Sequence, residues 1–504
     1  MSIALIISTI FSIIVGIAAA VNKTLEKIII PILDILQSIP ILGFFPVALY
    51  AFIALHPIIG AEIATIFLIF TSQAWNITFG VYESIKIIPM ENLEVVNLLR
   101  FDIFKRMRYL YIPASFPKIF ANLPSSWANG LYFLVACEII TIGEAEYKLF
   151  GIGSLTVELI TSRMIYEAII ALLTVAVLVI LMNLLVFIPL IRISARYRFE
   201  TYATEIPHAW FEKILRPFSV PVKIIPRRPR FSEHWEISTR IRTLIISMGR
   251  YKRPVTILAV VMAIVILACT FNIDNLVYVS LMLFNGFQRL GVIEPLTMLG
   301  YSLLRVFTAL LITLGWTIPL SIILYEKNTL EKILLPAFQV LASFPATLLI
   351  PFIMNFIMET KLMKEFGALI IILLGTQWYL LFSLRGALSI IPREEEELSR
   401  LLRMSRMEKL WYLYLPRMSP SMVTGCIVTV GGAWNTLVIA ERTVLDHIVW
   451  EVENPGIGKM LNLATYLGDI ELLIASTIWM ALFIVLLNRF FWRRIYEIVV
   501  RRLV

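Results

Sequence analysis

The chain has 504 residues, 59% of them apolar, 12% aromatic and only 16% charged, with a formal net charge of +9. Soluble domains carry roughly 25% charged residues, so a mean hydropathy of +0.85 excludes an ordinary water-soluble enzyme or binding domain and points to a polytopic membrane protein. Cys137, Cys269 and Cys426 lie in apolar runs, too far apart for a metal motif, and read as small packing residues.

From the N-terminus, apolar runs at 3–21, 28–55 and 58–82 approach or exceed the roughly 20 residues that cross a bilayer. The first begins at Met1 with no basic flank and no small-residue cleavage site, so no removed signal peptide is expected. A charged loop, Pro89–Pro117, follows. In it Leu93, Val95, Val96, Leu98 and Leu99 take helical spacing behind Glu91 and Glu94, acids favoured at a helix start. Asp102 suits the N-cap of a second short helix, and Pro113 is expected to break that helix before the next span. Runs at 118–140 and 167–191 complete the first half, separated by a Gly151-Ile152-Gly153 turn.

A basic segment from Arg192 to Arg253, with Pro207, Pro217, Pro221, Pro226 and Pro229, reads as a connection between halves. Beyond it lie runs at 256–274, 301–325, 333–357 and 365–387. A second charged loop, Pro392–Pro420, carries a capping-box pattern in Ser405 and Glu408, with Pro416 placed like Pro113. Runs at 419–441 and 471–490 close the chain.

The two charged loops align without a gap at a shift of 303 (392 − 89), pairing Glu91 with Glu394, Glu94 with Glu397, Leu98 with Leu401, Arg100 with Arg403 and Pro113 with Pro416. Apolar spans resemble one another by composition alone, whereas polar loops do not, so the chain is a duplication. Leu25–Pro40 matches Leu330–Pro345 at a shift of 305, and Gly456-Ile457-Gly458 repeats the earlier glycine turn. Six runs separate Glu94 from Glu397, an even number, which makes the repeat parallel. The expected fold class is therefore an all-α polytopic membrane protein of two fused parallel-repeat halves, with five to six transmembrane helices each and about 11 spans in total. The expected domains are 1–192, a linker at 193–254, and 255–504. Nothing before Met1 matches the run at 256–274 or Arg305, so the first half either works with five spans or starts further upstream.

Lys and Arg concentrate in the two charged loops, the linker and the tail (Arg489, Arg493, Arg494, Arg501, Arg502), while the opposite connections are neutral or acidic. The positive-inside rule puts the loops, the linker and the C-terminus in the cytoplasm. The basic residues hug span ends without interleaved exposed aromatics, so no nucleic acid partner is expected. Within the runs, Gln73, Asn76, Trp127, Asn129, Gln377, Trp378, Trp434 and Asn435 are candidates for a pathway lining, because polar groups avoid lipid; each alone reads sooner as an interhelical hydrogen bond, and only as a set around a pseudo-twofold axis does the lining weigh equally. Glu138 and Glu441 are repeated acids near the outer level, and fit an outer gate or a structural role better than contact with an anion. The four histidines are scattered, with no metal-ligand spacing and no nucleophile elbow, so neither a metal site nor catalytic residues are expected.

Glu94 through Pro113 and Glu397 through Pro416 resemble the cytoplasmic loop of binding-protein-dependent ABC importer permeases: Glu-Ala-Ala, a glycine six residues after the Glu, and Leu-Pro some nineteen residues after it. The prolines fall nineteen residues on (113 − 94; 416 − 397), but most alanines are replaced and Arg100 and Arg403 stand at the glycine. The Cys137-Glu138 and Ala440-Glu441 pairs and the Gly-Ile-Gly turns are similar to the nitrate/sulfonate/taurine branch in particular. The resemblance covers nearly the whole chain as two fused permease halves. It implies a multi-pass protein of a prokaryotic plasma membrane that serves two copies of a separate ATPase subunit and receives a small anion from an external solute-binding protein. Glu94, Leu98, Arg100, Pro113 and their repeats would form the coupling hairpins. No G-x-x-x-x-G-K-[ST] occurs, so ATP and Mg are expected on the partner and no cofactor in this chain. The alternative is a secondary transporter or channel not coupled to ATP, for which disabling the hairpins would cost nothing.

Overall fold

A computed structural model describes residues 1–56, 59–133, 138–142, 145–194, 197, 273–350, 352–353, 361–389, 391–445 and 448–501. Most of the expected linker at 193–254, the run at 256–274 but for its last residues, Cys137 and Cys269 lie outside them. The chain forms two compact units, one of Met1–Ala209 with Arg289–Val504 and one of Trp210–Gln288.

In the first half α1 (Ser2–Val21), α2 (Lys23–Ser38), α3 (Ile41–Leu55) and α4 (Gly60–Lys86) lead to the charged loop, folded as α5 (Met90–Leu98) and α6 (Ile103–Arg106). A π-helical turn (Met107–Tyr111) opens α7 (Ile112–Tyr132), after which β1 (Ile139–Ile142) and β2 (Ala145–Lys148) pair antiparallel. Then come α8 (Ile152–Thr161), α9 (Ile165–Met182), a second π-helical turn (Asn183–Phe187) and α10 (Ile188–Ser194). A helix α11 (Ile273–Leu290) precedes the second half, which runs α12 (Ile293–Glu326), α13 (Asn328–Ser343), a 3-10 turn (Ala346–Leu349) and α14 (Lys361–Leu388). The repeated loop is α15 (Arg393–Leu401) and α16 (Arg406–Lys409), followed by a π-helical turn (Leu410–Tyr414), α17 (Leu415–Glu441) and the β3 (Arg442–Leu445)–β4 (Ile448–Glu451) hairpin. The chain continues through α18 (Ile457–Leu467), α19 (Ile470–Leu487), a π-helical turn (Asn488–Trp492) and α20 (Arg493–Arg501).

The element order thus repeats, and the packing repeats with it: α4 lies between α1 and α7, and α14 between α12 and α17. Small residues let α1 approach α4. Ser12 Oγ donates to the Ala74 carbonyl (3.0 Å), Thr78 donates to Ser12 Oγ (2.8 Å), and a Cβ on Gly16 would press on Val81. Such bonds hold helices together where lipid removes the hydrophobic drive. The halves also seat on each other reciprocally: α2 and α3 pack on α19, while α13 packs on α7 and α9.

Among the described residues seven helices are long and apolar enough to cross a membrane. Of the other four expected runs, 28–55 departs from a single span. It is two helices, because Pro40 has no N–H to continue α2 and forces Ile39 into an extended conformation (ψ 125°). Phe344 before Pro345 is extended likewise (ψ 132°). The run at 118–140 contains the C-terminal two-thirds of α7, whose Pro117 and Pro124 lie inside the helix; the runs at 256–274 and 333–357 are only partly described.

Candidate functional site

The repeated loops form two helical hairpins of the same geometry. Arg100 and Arg403 occupy the left-handed region (φ 49° and 48°), where their N–H groups reach Asn97 O and Arg400 O (both 3.0 Å). The next residues close the turn, Phe101 N–H on Val96 O and Met404 N–H on Ser399 O (both 3.1 Å). A residue with a Cβ adopts this conformation at a cost of roughly 1–2 kcal/mol. The tight turn is therefore retained with arginine in the place of glycine. Asp102 caps α6 by accepting from Lys105 N–H (3.0 Å), and Ser405 with Glu408 forms the reciprocal capping box of α16.

Pro113 and Pro416 do not break the chain's helical course, contrary to the expectation. Each stands just inside the next helix, and the π-helical turn before it redirects the hydrogen bonds, with Ile112 N–H on Met107 O and Leu415 N–H on Leu410 O. The wider turn absorbs the missing donor. Each hairpin's second helix is thus continuous with the long helix that follows. Leu110, Tyr111, Leu413 and Tyr414 are buried and root this stem. At the tips Leu98 and Leu401 are 81% and 80% exposed, joined by Leu99, Phe104, Leu402, Met407 and Trp411. Glu94 and Glu397 are exposed and form no side-chain hydrogen bond or ion pair among the described residues.

The two repeated acids cap helices. Glu138 accepts from Gly153 and Ser154 N–H (2.6 and 3.0 Å) at the start of α8, and Glu441 from Lys459 N–H (3.0 Å) at the start of α18. Carboxylates are favoured there by the orphan donors and the helix dipole. The glycine turns make the room: a Cβ on Gly151 or Gly456 would fall on the Glu138 or Glu441 carboxylate.

Around Glu441 the second half adds a buried cluster. Ser302 and Arg305 donate to Glu441 (2.6 and 2.7 Å), Arg305 also forks onto Glu365 (2.8 Å twice), and Asn454 donates to Glu365 (3.0 Å). Arg305 is 5% exposed and Glu441 fully buried, so the pair is compensated by these bonds and not by water. Glu62, in register with Glu365, is exposed. Sequence reasoning missed this cluster, although a lone arginine in the apolar run at 301–325 was its signal.

The polar span residues separate into two groups. Asn129 and Asn435 reach the other half: Tyr379 OH donates to Asn129 Oδ1 and the Ile41 N–H to Asn435 Oδ1 (both 2.6 Å). Thr347 Oγ1 on the Tyr132 carbonyl (2.6 Å) and Thr477 Oγ1 on the Gly43 carbonyl (3.0 Å) belong to the same seam. Gln73, Trp127 and Trp434 are buried within one half each, with Trp127 against Phe187 and Trp434 against Phe483. Trp378 donates to the Leu374 carbonyl (3.1 Å) beside Trp316 and Phe338; Asn76 and Gln377 are half-buried. Trp127 and Trp434 are 307 apart (434 − 127), out of the 303 register of the helices that carry them. Tyr132, Tyr379 and the Ile41 N–H carried no distinguishing sequence signal.

A family model described as binding-protein-dependent transport system inner membrane component matches residues 12–198 and again 312–504. The bicarbonate transport system permease protein CmpB of Synechococcus elongatus is 31% identical over 147 residues, 29% of this chain and 49% of that protein. The nitrate import permease protein NrtB of Leptolyngbya laminosa is 27% identical over 181 residues, 36% of this chain and 61% of that protein. The chain thus spans about half the length of the curated relatives it matches.

Proposed function

Because the chain belongs to the family of binding-protein-dependent transport system inner membrane components, matched once in each half, we propose that it is the membrane permease of an ATP-driven importer of a small anion. Its relatives' names, bicarbonate and nitrate, motivate the substrate class. Two copies of an ABC ATPase subunit would bind ATP and Mg, each receiving one hairpin in a groove, and an external solute-binding protein would deliver the anion. Hairpins, the 193–254 linker and the C-terminus face the cytoplasm of a prokaryotic cell in this reading.

The observation that carries it is the pair of hairpins. Both expose apolar tips at matching positions (Leu98, Leu401) and both are continuous with a long helix. Exposed apolar helical knobs fit a groove on a partner. A stem without a joint passes displacement directly to the span, and the two bundles then rock about the seam at Asn129, Tyr379 and Asn435. Glu138 and Glu441 hold helix starts, which keeps their charge engaged and suits an anion's path lined by neutral polar groups.

Tagged purification in mild detergent from the native host tests the reading. Recovery of a Walker-motif subunit at two copies per chain, with hydrolysis raised by an external binding protein, is the expected result. Recovery of the chain alone, moving anions without ATP, would replace the importer by a carrier or channel.

A further inference from the structure

The two hairpins share a backbone but not their attachments. In the second, Glu396 on α15 accepts a hydrogen bond from Tyr325 near the end of α12. Tyr414, at the hairpin's root, donates to Glu326 (3.2 Å), the last residue of α12. The two tyrosine rings meet edge to face, centroids 6.0 Å apart, which holds both hydroxyls in place. Arg417 on α17 forms an ion pair with Glu395, its Nε 2.9 Å from Oε2.

The repeat register gives the first-half counterparts. Glu396 and Tyr325 correspond to Leu93 and Ala20, Glu326 to Val21, and Glu395 and Arg417 to Asn92 and Ala114. Tyr414 alone is kept, as Tyr111, and among the described residues its hydroxyl has no partner. Leu93 and Ala20 pack against the apolar core instead. Apolar contact is non-directional and permits sliding, whereas hydrogen bonds to a carboxylate fix distance and angle and are about twice as strong as neutral ones.

We infer that the hairpins are unequal levers: Tyr325 and Glu396, with Tyr414 and Glu326, are positioning residues that key the second hairpin to α12, while the first hairpin slides on an apolar seat. Displacement of the second hairpin then moves α12 and α17 as one body, and displacement of the first reaches its bundle through α7. This rests on the reading of the hairpins as ATPase-facing levers for its consequence in transport, but the attachment itself is a property of the purified chain.

Amide hydrogen exchange on the full chain in detergent tests it, comparing α15 with α5. In the unsubstituted protein α15 is expected to exchange more slowly than α5. The double variant Tyr325→Phe/Tyr414→Phe keeps both rings and removes both hydroxyls. It should speed exchange in α15 about tenfold and leave α5 and the thermal midpoint unchanged. Glu396→Gln, which keeps the side chain's shape, should reproduce the effect at α15, and Tyr111→Phe should change neither hairpin. Equal exchange in the two hairpins of the unsubstituted chain, or an unchanged α15 in both second-half variants, would overturn the inference. A general loss of protection with a lowered midpoint in both variants would overturn it too, because the residues would then be structural only. None of these outcomes depends on finding an ATPase, so failure here is distinct from failure of the importer reading.

Discussion

At the residue scale the informative positions are those where both halves hold the same local geometry with the same residue. Arg100 and Arg403 keep a left-handed turn without glycine. Arg403→Gly should stabilise the hairpin by about 1 kcal/mol, and Arg403→Val, whose branched Cβ resists positive φ, should destabilise it by at least that much. Limited proteolysis within 392–416 reads both, and equal cleavage of the two variants would refute the assignment of strain. Glu441→Ala leaves Arg305 with one acid and strips the start of α18 of its acceptor. Removing one member of a buried pair costs about 3–5 kcal/mol, so thermal unfolding should occur many degrees lower. Gly458→Ala, whose Cβ would meet the Leu437 carbonyl at 2.9 Å, should cost about 1–3 kcal/mol by crowding. An unshifted melting curve for Glu441→Ala would mean that the cluster is ornamental.

At the scale of elements, Asp469 joins the start of α19 to Arg289, accepting from Leu472 N–H (3.1 Å) and pairing with Arg289 (2.7 Å). Partial burial alone would raise its pKa, but the Arg289 guanidinium and the helix N–H groups outweigh it and hold the carboxyl below the ordinary aspartate value. A depressed folded-state pKa stabilises above the unfolded value and is lost as pH falls through the folded one. The melting-point gap between the protein and Asp469→Asn should therefore be full at neutral pH and close as the medium turns acid below the aspartate range. A gap independent of pH would exclude this linkage.

How far such elements were legible depends on whether the signal is local. The caps at Asp102 and Ser405 were, because a capping residue bonds its own helix within three positions. Prolines were not legible in this way. Pro40 ends a helix as the missing N–H requires, yet that break was overlooked inside an apolar run long enough to span. Pro113 and Pro416 were expected to break a helix, and instead the preceding turn widened, an adjustment that only the surrounding backbone reveals. Arg305 with Glu441, 136 residues apart, and Tyr379 with Asn129, 250 apart, are tertiary pairings with no local trace.

At the scale of the molecule, the proposal gives Glu94 and Glu397 a part that their exposure leaves open: contact with a partner. Glu94→Lys and Glu397→Lys together should abolish ATP-dependent uptake in cells while the chain remains membrane-inserted, as membrane fractionation with immunodetection would show. Uptake that survives the double reversal would end the docking role of these glutamates. Single reversals test the inequality of the hairpins in the assembled complex, since only the second is keyed to α12.

The reciprocal seating of the halves bears on how the protein is made. α7 ends at Tyr132, and the helix that covers it, α13, starts at Asn328, 196 residues later (328 − 132). At roughly 5–20 residues per second that interval is on the order of 10–40 s. Until the second half emerges, the Ile41 N–H, an orphan donor at the start of α3, lacks the Asn435 partner it bonds in the finished protein, a costly condition in lipid. Fusion of the halves in one chain makes this wait a fixed delay instead of a search that lengthens with dilution, a consequence for how the protein is assembled.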